Sequence, residues 1–438
     1  REITFYTGAF PANRSGALSS VLDFRLKDGN PDKQAFKATI GASEVSLSGA
    51  GHLGQRTTYL FSARQSYLQL LFKALGLPFL PNFIDGQFKT KTRFNEHSEL
   101  TLLGLVGIDK MKLNTDEKGE DAEYLLSYLP TIHQETFTLG ASYRHYNGRH
   151  VQSLILSHNY LNNRNLKYRN NDDSSEDNLT LRLRSTEQKT TLRFENQTRL
   201  GAWTLKEGAE LNNSIYTNHS RQRLYGSHSG TLSIYETSLN IFGWGAFFSS
   251  NYTTADKRLA LSAGIRMDGN TYNRKMRQLW KQFSPRLSAS YKLSEQWTLS
   301  GSTGLYHQLP PYTALGYKDN EGQYLNKDLK YMPVWTGTCK TGSWFLQKVS
   351  SSVTAVCHFP SKTTFRWHAK ETITVSPATK HSSLQPAAGP TDWKPCSAGR
   401  HPASSISYPP SPYTAANTAT VQMETSFHLP GTTVSYST

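Results

Sequence analysis

The stretch GALSSVLDFRLKDGN, residues 16–30, contains a short alternating segment followed by a turn. From Val21 to Lys27, apolar and polar residues alternate, which is the pattern of a β-strand with one buried face. Asp28, Gly29 and Asn30 are residue types that favour tight turns. The stretch therefore predicts a strand that ends in a turn, and the segments that follow decide which architecture this strand joins.

Similar segments recur along the chain as far as residue 306. They show alternation or aromatic enrichment and comprise residues 36–51, 56–71, 98–113, 135–146, 190–200, 202–217, 240–253, 258–272, 283–293 and 296–306. About a dozen strands in hairpin succession, separated by polar loops such as 162–178, predict an antiparallel all-β fold. Helical periodicity is nearly absent, apart from a short helical turn predicted at 67–75.

The composition restricts the classes to which this fold can belong. The chain has 438 residues, of which 37% are hydrophobic, and it contains 23 Tyr and 20 Phe. It has no run of eighteen apolar residues, the length that a membrane-spanning helix requires. Barrel strands carry only a weak alternating signal, so both a soluble β-protein and a transmembrane β-barrel remain open.

The charged residues point to no nucleic-acid partner. The formal net charge is +15, but Lys and Arg are scattered among Asp and Glu through the alternating segments. No nucleic-acid-binding motif accompanies them. The three cysteines lack C-x-x-C spacing, the 14 histidines lack metal-ligand spacing, and no P-loop or G-x-G-x-x-G is present. The sequence therefore predicts no catalytic residue, no cofactor and no metal site, and hence no enzyme.

The chain changes character after Val334. All three cysteines and ten of the 19 prolines lie beyond residue 335, together with only three of the 33 acidic residues. A Ser/Pro-rich disordered tail is one interpretation. Trp344, Trp367 and Trp393 and the scarcity of charge speak against it, because solvated disorder is usually charged and poor in aromatic residues.

The genetic code offers a second interpretation of the tail. We back-translated the residues of the tail into codons, combined the third base of each codon with the first two bases of the next, and translated the resulting triplets. Under this one shift, residues 422–434 permit D-G-N-F-I-P-S-S-W-D-N-R and residues 358–372 permit F-S-L-K-D-N-I-P-L-A-C-K-G-N. Because the same shift serves both windows, we expect residues 335–438 to be an out-of-frame, disordered tail.

The motifs at the start of the chain resemble a known family. Residues 7–30 resemble the end of the plug domain of TonB-dependent outer-membrane receptors, in the branch with a carboxypeptidase-regulatory-like N-terminal domain. Asn13-Arg14-Ser15 departs from the aromatic-Gly that the family usually has there. The plug-end residues that carry the resemblance most directly are Gly8, Phe10, Pro11, Gly16, Ser19, Ser20, Asp23, Lys27, Gly29 and Asn30.

Two further blocks resemble barrel strands of the same family. FSARQSYLQLL (61–71) and LPNFIDGQFK (80–89) are similar to its S-x-R-x-S-Y-L block and the strand after it, and GLYHQLPPYTALGY (304–317) to its Y-x-Q-x-P-P-Y segment. The shifted-frame texts resemble later strands. The barrel-motif residues are Arg64, Ser66, Tyr67, Asp85, Gln308, Pro310, Pro311 and Tyr312.

The resemblance implies a domain organisation. Residues 1–30 would be the C-terminal end of the plug, and residues 31–334 a partial transmembrane barrel. The Ser19-Ser20 strand would be the last plug strand, with small residues where the plug passes close to the wall. Arg25 and Lys27 are then expected to meet carboxylates that point inward from the barrel.

The resemblance also implies a function for the parent protein: energy-coupled uptake across the bacterial outer membrane, driven by the TonB complex. The expected surroundings are outer-membrane lipid and an unidentified small-molecule, oligosaccharide or peptide ligand, with a surface lipoprotein partner left open. A β-rich surface adhesin and a barrel enzyme are the alternatives. The sequence lacks a signal peptide, a TonB box and closing strands, so we expect a truncated fragment whose unpaired strand edges promote aggregation.

Overall fold

The structure is a computed structural model that describes residues 2–7, 10–18, 20–223, 232–295, 297–319, 321–343, 352–357, 422–424 and 432–437. Within these ranges no helix has the length and apolar character needed to cross a membrane. In chain order, the strands are β1 (Glu2–Thr7), β2 (Ser20–Leu26), β3 (Ala35–Ile40), β4 (Glu44–Leu53), β5 (Thr57–Ser66), β6 (Phe79–Asn95), β7 (Ser98–Leu113), β8 (Thr131–Asn147), β9 (His150–Tyr168), β10 (Leu179–Leu200), β11 (Trp203–Arg223), β12 (Leu232–Thr253), β13 (Leu259–Asn270), β14 (Ser284–Lys292), β15 (Trp297–Gln308), β16 (Met332–Ser343), β17 (Ser352–Cys357), β18 (Gln422–Glu424) and β19 (Thr432–Ser437).

The helices are short and lie in the connections. They are α1 (Leu68–Ala74), α2 (Glu120–Tyr128), α3 (Arg274–Arg277) and α4 (Tyr312–Leu315), with 3-10 turns at Arg169–Asn171, Glu176–Asn178 and Leu279–Gln282. Helix α1 confirms the helical turn predicted at 67–75. Helix α2 was not predicted, because only Leu126 of its nine residues is buried and the sequence shows no apolar stripe there.

The strands form one large meander. Fifteen strands, β3 to β17, make a single sheet in which each strand pairs with its sequence neighbours, and all of these pairings are antiparallel. The all-β, antiparallel fold with hairpin succession is thus confirmed. The segment 36–51, predicted as one strand, is a hairpin of β3 and β4, closed where the Gly41 amide donates to the Glu44 carbonyl.

The sheet has one apolar and one polar face. In β9, Leu154 and Leu156 are 48% and 50% exposed, whereas Ser153 and Ser157 beside them are buried. The same alternation places Leu192 and Phe194 on the exposed face of β10 and Arg193 and Glu195 on the buried one. An exposed apolar face and a polar interior are the reverse of a soluble protein and match a wall that faces lipid outside and an aqueous lumen inside.

The two ends of the wall differ in the length of their connections. At one end the strands join through the short turns 54–56, 96–97, 148–149, 201–202, 254–258 and 293–296. At the other end the longer loops 67–78, 114–130, 169–178, 271–283 and 309–331 connect them. In outer-membrane barrels the short turns face the periplasm and the long loops face the exterior.

A second, smaller sheet lies inside the curve of the first. Its strand order is β1-β2-β19-β18, and β1 and β2 form an antiparallel hairpin. Backbone carbonyls and side chains between residues 10 and 28 contact wall strands from β6 to β15, so the wall curves around this segment. Strand β16 continues past Val334 to Ser343, but most of 335–438 lies outside the described residues, and the out-of-frame tail stays a prediction.

Candidate functional site

Arg286 holds the loop between β1 and β2 against the wall. Its Nη1 donates to the carbonyl oxygens of Phe10 at 3.2 Å, Pro11 at 2.5 Å and Arg14 at 2.8 Å. The guanidinium lies between the rings of Phe10 and Tyr306, whose centroids are 4.9 and 4.6 Å from its carbon. The two rings also contact each other, with centroids 4.3 Å apart. One wall cation therefore fixes three carbonyls of this loop and an aromatic pair.

A second arginine acts on the same loop from a different strand. Arg193 Nη2 on β10 donates to the carbonyl of Asn13 at 2.6 Å. Arg193 also pairs with Glu195, and its Nη1 lies 3.7 Å from Glu210 on β11. Glu210 in turn lies 3.5 Å from Arg266 on β13. This chain of alternating charges on the inner wall keeps the buried Arg193 oriented toward the loop.

Within the N-terminal segment, Asp23 pairs with Arg14 and both side chains are almost fully buried. Asp23 lies on β2 and Arg14 in the loop before it. The ion pair therefore fixes the loop to the strand that follows it. A buried pair of this kind is costly to break, because the remaining charge would be left uncompensated.

Asp28 connects the end of the N-terminal segment to β6. Its carboxylate oxygens lie 2.6 Å from Lys89 Nζ and 3.2 Å from Lys91 Nζ. Lys89 also donates to the Leu26 carbonyl at 3.0 Å. Burial alone would raise the pKa of Asp28, but the two lysines outweigh it and hold the pKa below its usual value. Lys91 continues the network to Glu99 at 3.2 Å.

Two glycines and an asparagine shape the backbone of the motif. Gly29 is buried, and a Cβ there would come within 2.5 Å of the Tyr59 amide nitrogen and 2.6 Å of the Gly51 carbonyl oxygen. Gly16 has φ 74°, in the left-handed region that favours glycine. Asn30 Oδ1 accepts from the amides of Asp32 and Lys33. The turn predicted at 28–30 therefore passes directly against the barrel wall.

The remaining plug-end residues fall into three groups. Gly8 and Ser19 lie outside the described residues, and Ser20 is the first residue of β2. Lys27 was expected to meet an inward carboxylate, but its side chain is exposed beside Phe36 and Lys37 of β3. The observed charge pairing is the reverse of the expected one, since a carboxylate of the N-terminal segment, Asp28, pairs with lysines of the wall.

The first barrel motif lies near the long-loop end of β5 and β6. Arg64 Nε donates to Asp85 at 2.7 Å, and its Nη1 lies 3.1 Å from Glu44. Ser66 is buried, and its hydroxyl accepts from the Leu68 amide at the start of α1. Tyr67 donates its hydroxyl to the Gly41 carbonyl. These contacts fix strand ends and a loop.

The second barrel motif builds a loop that packs on the inner wall. Gln308 ends β15, Pro310 is buried, and Pro311 precedes α4. Tyr312 stacks on Tyr216 of β11, with ring centroids 5.5 Å apart. The loop carries α4, and its position is fixed by Tyr272, which donates to the carbonyls of Leu315 and Asn326. The motif residues are therefore packing elements at the outer end of the lumen.

Comparison with known proteins identifies this architecture. The sequence model described as "TonB dependent receptor-like, beta-barrel" matches residues 59–333. The chain belongs to the TonB-dependent receptor family. No curated protein sequence matches it. Members of the family are bacterial outer-membrane proteins, which places the apolar face of this TonB-dependent receptor barrel against outer-membrane lipid.

Solved structures share the fold of this TonB-dependent receptor barrel. The ferripyoverdine receptor of Pseudomonas aeruginosa is 13% identical with a TM-score of 0.58, and the alignment covers 80% of this chain and 52% of the receptor. The copper transporter OprC is 13% identical with a TM-score of 0.56, covering 77% and 56%. The ferric enterobactin receptor PfeA of P. aeruginosa is 14% identical with a TM-score of 0.54, covering 77% and 55%. The chain thus spans about half the length of these receptors.

The side chains that hold the N-terminal segment of this TonB-dependent receptor against the wall were not predicted. They are Lys89, Lys91, Arg193 and Arg286, all on wall strands and all buried. The signal that could have found them is a charge at every second position of an alternating strand. Such positions face the lumen, where a charge needs a partner from the plug or from a neighbouring strand.

Proposed function

We propose that this chain contributes the plug end and part of the wall of an energy-coupled outer-membrane importer. Ligand would be captured by the long loops, and the TonB complex would rearrange the plug from the periplasmic side. The observation that carries the proposal is the set of bonds from Arg286 to the carbonyls of Phe10, Pro11 and Arg14. They attach an obstructing segment to the wall without any covalent link.

These bonds suit a segment that must leave the wall and return. The partners on the plug side are backbone carbonyls, which water can satisfy once the segment moves away. While the segment is away from the wall, the charge of Arg193 stays compensated, since Arg193 also contacts Glu195 and Glu210. An importer needs this kind of contact, because ligand passes only where plug and wall separate.

The proposal leaves the ligand class open. The structural neighbours are a ferripyoverdine receptor, a copper transporter and a ferric enterobactin receptor, and all resemble this chain at only 13–14% identity. A fold that accepts such different ligands does not choose among them. A small molecule, an oligosaccharide or a peptide fits the proposal equally, with outer-membrane lipid as surroundings and a surface lipoprotein as an accessory that uptake experiments can identify.

A reversible disulfide between plug and wall tests the proposal. In the parent receptor, Ala12→Cys and Gly264→Cys place two thiols face to face, because a Cβ at residue 264 would lie 2.8 Å from that of Ala12. Disulfides hold Cβ atoms about 3.8 Å apart, so loop and wall must separate by about 1 Å to accommodate the bond. A matched control, Ser290→Cys with Ser300→Cys, joins β14 to β15 within the wall.

The readout is uptake of labelled ferric siderophores, haem, cobalamin, maltodextrins and peptides by cells with and without TonB. We expect at least one compound to enter only when TonB is present, to be excluded when the 12–264 disulfide forms, and to enter again after reduction. The 290–300 disulfide should leave uptake unchanged. TonB-independent entry, or uptake that persists with the plug locked, would contradict the proposal.

A further inference from the structure

Basic residues face each other across neighbouring turns at the short-turn end of the barrel. The amide of Arg93 donates to the carbonyl of Arg56 at 2.9 Å, and the amide of Arg199 to that of Arg149 at 3.0 Å. Lys292 donates in the same way to Arg258 at 2.9 Å. We call these three backbone-bonded couples the basic rim pairs.

The basic rim pairs violate a rule of sheet stability. Like charges directly opposite each other on two strands destabilise a sheet. All six side chains are exposed. Their side-chain contacts are weak: Arg56 Nη1 lies 3.4 Å from the Phe94 carbonyl, and Arg258 Nε lies 3.9 Å from Asp256. A feature that costs stability and recurs three times around one rim indicates a function rather than a scaffold role.

The alternation of the strands decides which side of the rim carries this charge. Arg93 shares its face of β6 with Lys89 and Lys91, which contact the plug segment. Arg199 shares the luminal face of β10 with Arg193 in the same way. Phe94 and Leu200 directly follow Arg93 and Arg199 in sequence, so they point to the opposite, lipid-facing side, and both are exposed.

Aromatic residues lie on the lipid-facing side next to the same short turns. Trp203, whose ring lies 4.8 Å from that of Tyr252, and Trp297 are large exposed side chains next to the turns. Such rings mark the membrane interface of barrels. Lipid therefore meets the aromatic side, and the basic side faces the periplasmic mouth. The ligand of the rim is to be sought in the aqueous phase.

Two loops at the long-loop end are acidic. Loop 114–130 carries five acidic residues and one lysine, and loop 169–178 carries four acidic residues and one arginine. Loop 271–283 at the same end carries four basic residues and no acidic one, so that end also supplies cations for a matched control. The first rim pair lies beside a cavity of about 700 Å³ that Glu96 and Glu99 also line, so the charge there is mixed, and the pairs Arg149–Arg199 and Arg258–Lys292 carry most of the argument.

We propose that the basic rim pairs form a docking ring for an acidic, carboxylate-bearing segment of a periplasmic protein. Each pair would place two cations around one carboxylate, which removes the repulsion within the pair when the partner binds. Neutral positions such as Ala202 and Thr253, which bond in the same manner, separate the pairs. The proposal uses the orientation of the barrel and does not depend on transport.

Poly-L-glutamate is the probe for this ring. The parent receptor is placed in nanodiscs of phosphatidylcholine, and binding is measured at increasing NaCl concentration. The test variant replaces all six rim-pair residues by Gln: Arg56, Arg93, Arg149, Arg199, Arg258 and Lys292. The matched control removes six charges at the opposite end by the same substitution: Lys73, Lys118, Arg169, Arg274, Arg277 and Lys281.

We expect the rim variant to bind poly-L-glutamate about tenfold or more weakly, because six exposed ion pairs each contribute a modest amount. Binding to the wild type should weaken with salt, and the control should stay within about twofold of it. The melting temperature of the rim variant should equal or exceed that of the wild type, since repulsion is relieved.

Three results would overturn the proposal. Unchanged binding by the rim variant, or an equal loss in the control, would show that the ring does not recognise carboxylates. A lower melting temperature would indicate a structural role for the six side chains. Stabilisation of the wild type alone by phosphatidylglycerol in the nanodiscs would assign the rim to lipid headgroups instead. Uptake assays report on transport separately, so the failure of one proposal is distinguishable from that of the other.

Discussion

Replacing Arg286 by Met should release the plug loop from the wall. The substitution keeps most of the volume between the rings of Phe10 and Tyr306 but removes the donor to the carbonyls of Phe10, Pro11 and Arg14. Those carbonyls lose their charged partner, while the cost of burying the guanidinium is also removed.

The magnitude follows from these opposing contributions. Each hydrogen bond to a charged group contributes about 1.5–3 kcal/mol, and each cation–π contact about 0.5–2 kcal/mol. Relief of the desolvation penalty returns several kcal/mol. We therefore expect the loop to open about 3 kcal/mol more easily, because the hydrogen bonds and ring contacts that are lost outweigh the desolvation penalty that is relieved.

Thiol labelling measures this opening directly. With Ala12→Cys in both backgrounds, fluorescein maleimide should react roughly a hundredfold or more faster in the Arg286→Met receptor under native conditions. Heat-modifiable migration in detergent gels checks that the barrel is intact. Arg286→Lys, which keeps the charge without the planar fork, should give an intermediate rate.

A second arginine serves as the matched control. Arg182 is also on a wall strand, but it pairs with Glu176 in loop 169–178, so Arg182→Met should leave the labelling rate of the thiol introduced at position 12 unchanged. An equal labelling rate in the wild-type and Arg286→Met backgrounds, with the barrel intact, would refute the assignment of Arg286 as the residue that holds the plug loop.

Three further predictions concern the plug end and the tail. Gly29→Ala should lower the melting temperature of the parent receptor, because the added methyl group collides with the backbone at Tyr59. The control Gly54→Ala should lower it only by the backbone strain at its φ of 66°, since no atom of the described residues beyond its chain neighbours lies within 4 Å of the added methyl group. Since two lysines of β6 hold the pKa of Asp28 below its usual value, its stabilisation of the N-terminal segment is complete at neutral pH and is lost as pH falls below about 4. In the Ala12→Cys background, an Asp28→Asn receptor should lack this acid-induced opening, measured with 4,4′-dithiodipyridine, which still labels thiols at acidic pH. Resequencing the gene across codons 325–345 should show one base gained or two lost near Val334; an uninterrupted frame would contradict this prediction.

The sequence predicted those parts of the fold that depend on local pattern. Alternation with turn residues identified the meander, and the residues around Ser66 and Tyr67 correctly indicated a strand followed by helix α1. Helix α2 escaped prediction because an exposed acidic helix in a loop carries no apolar stripe. It is held by contacts with the end of β9 and the loop beyond it, since Lys167 and Asn171 both donate to the Leu126 carbonyl.

The contacts of the candidate site depend on register, which a single sequence does not supply. Lys27 was expected to pair inward, but the neighbouring Asp28 makes the ion pairs, because the chain turns toward β6 at that residue. The basic rim pairs escaped prediction for the same reason. Arg149 and Arg199 become neighbours only when Thr198 pairs with His150, about fifty residues away on the preceding strand.

The contacts of the plug loop also set the order in which the molecule can assemble. Wall strands pair with their immediate neighbours, so the meander can grow hairpin by hairpin with little loop-closure entropy. The bond from Arg286 to the Phe10 carbonyl instead spans 276 residues. The N-terminal segment is synthesised before these strands and can dock only after β14 and β15 have formed. A docked segment therefore shows that the wall is assembled at least as far as β15.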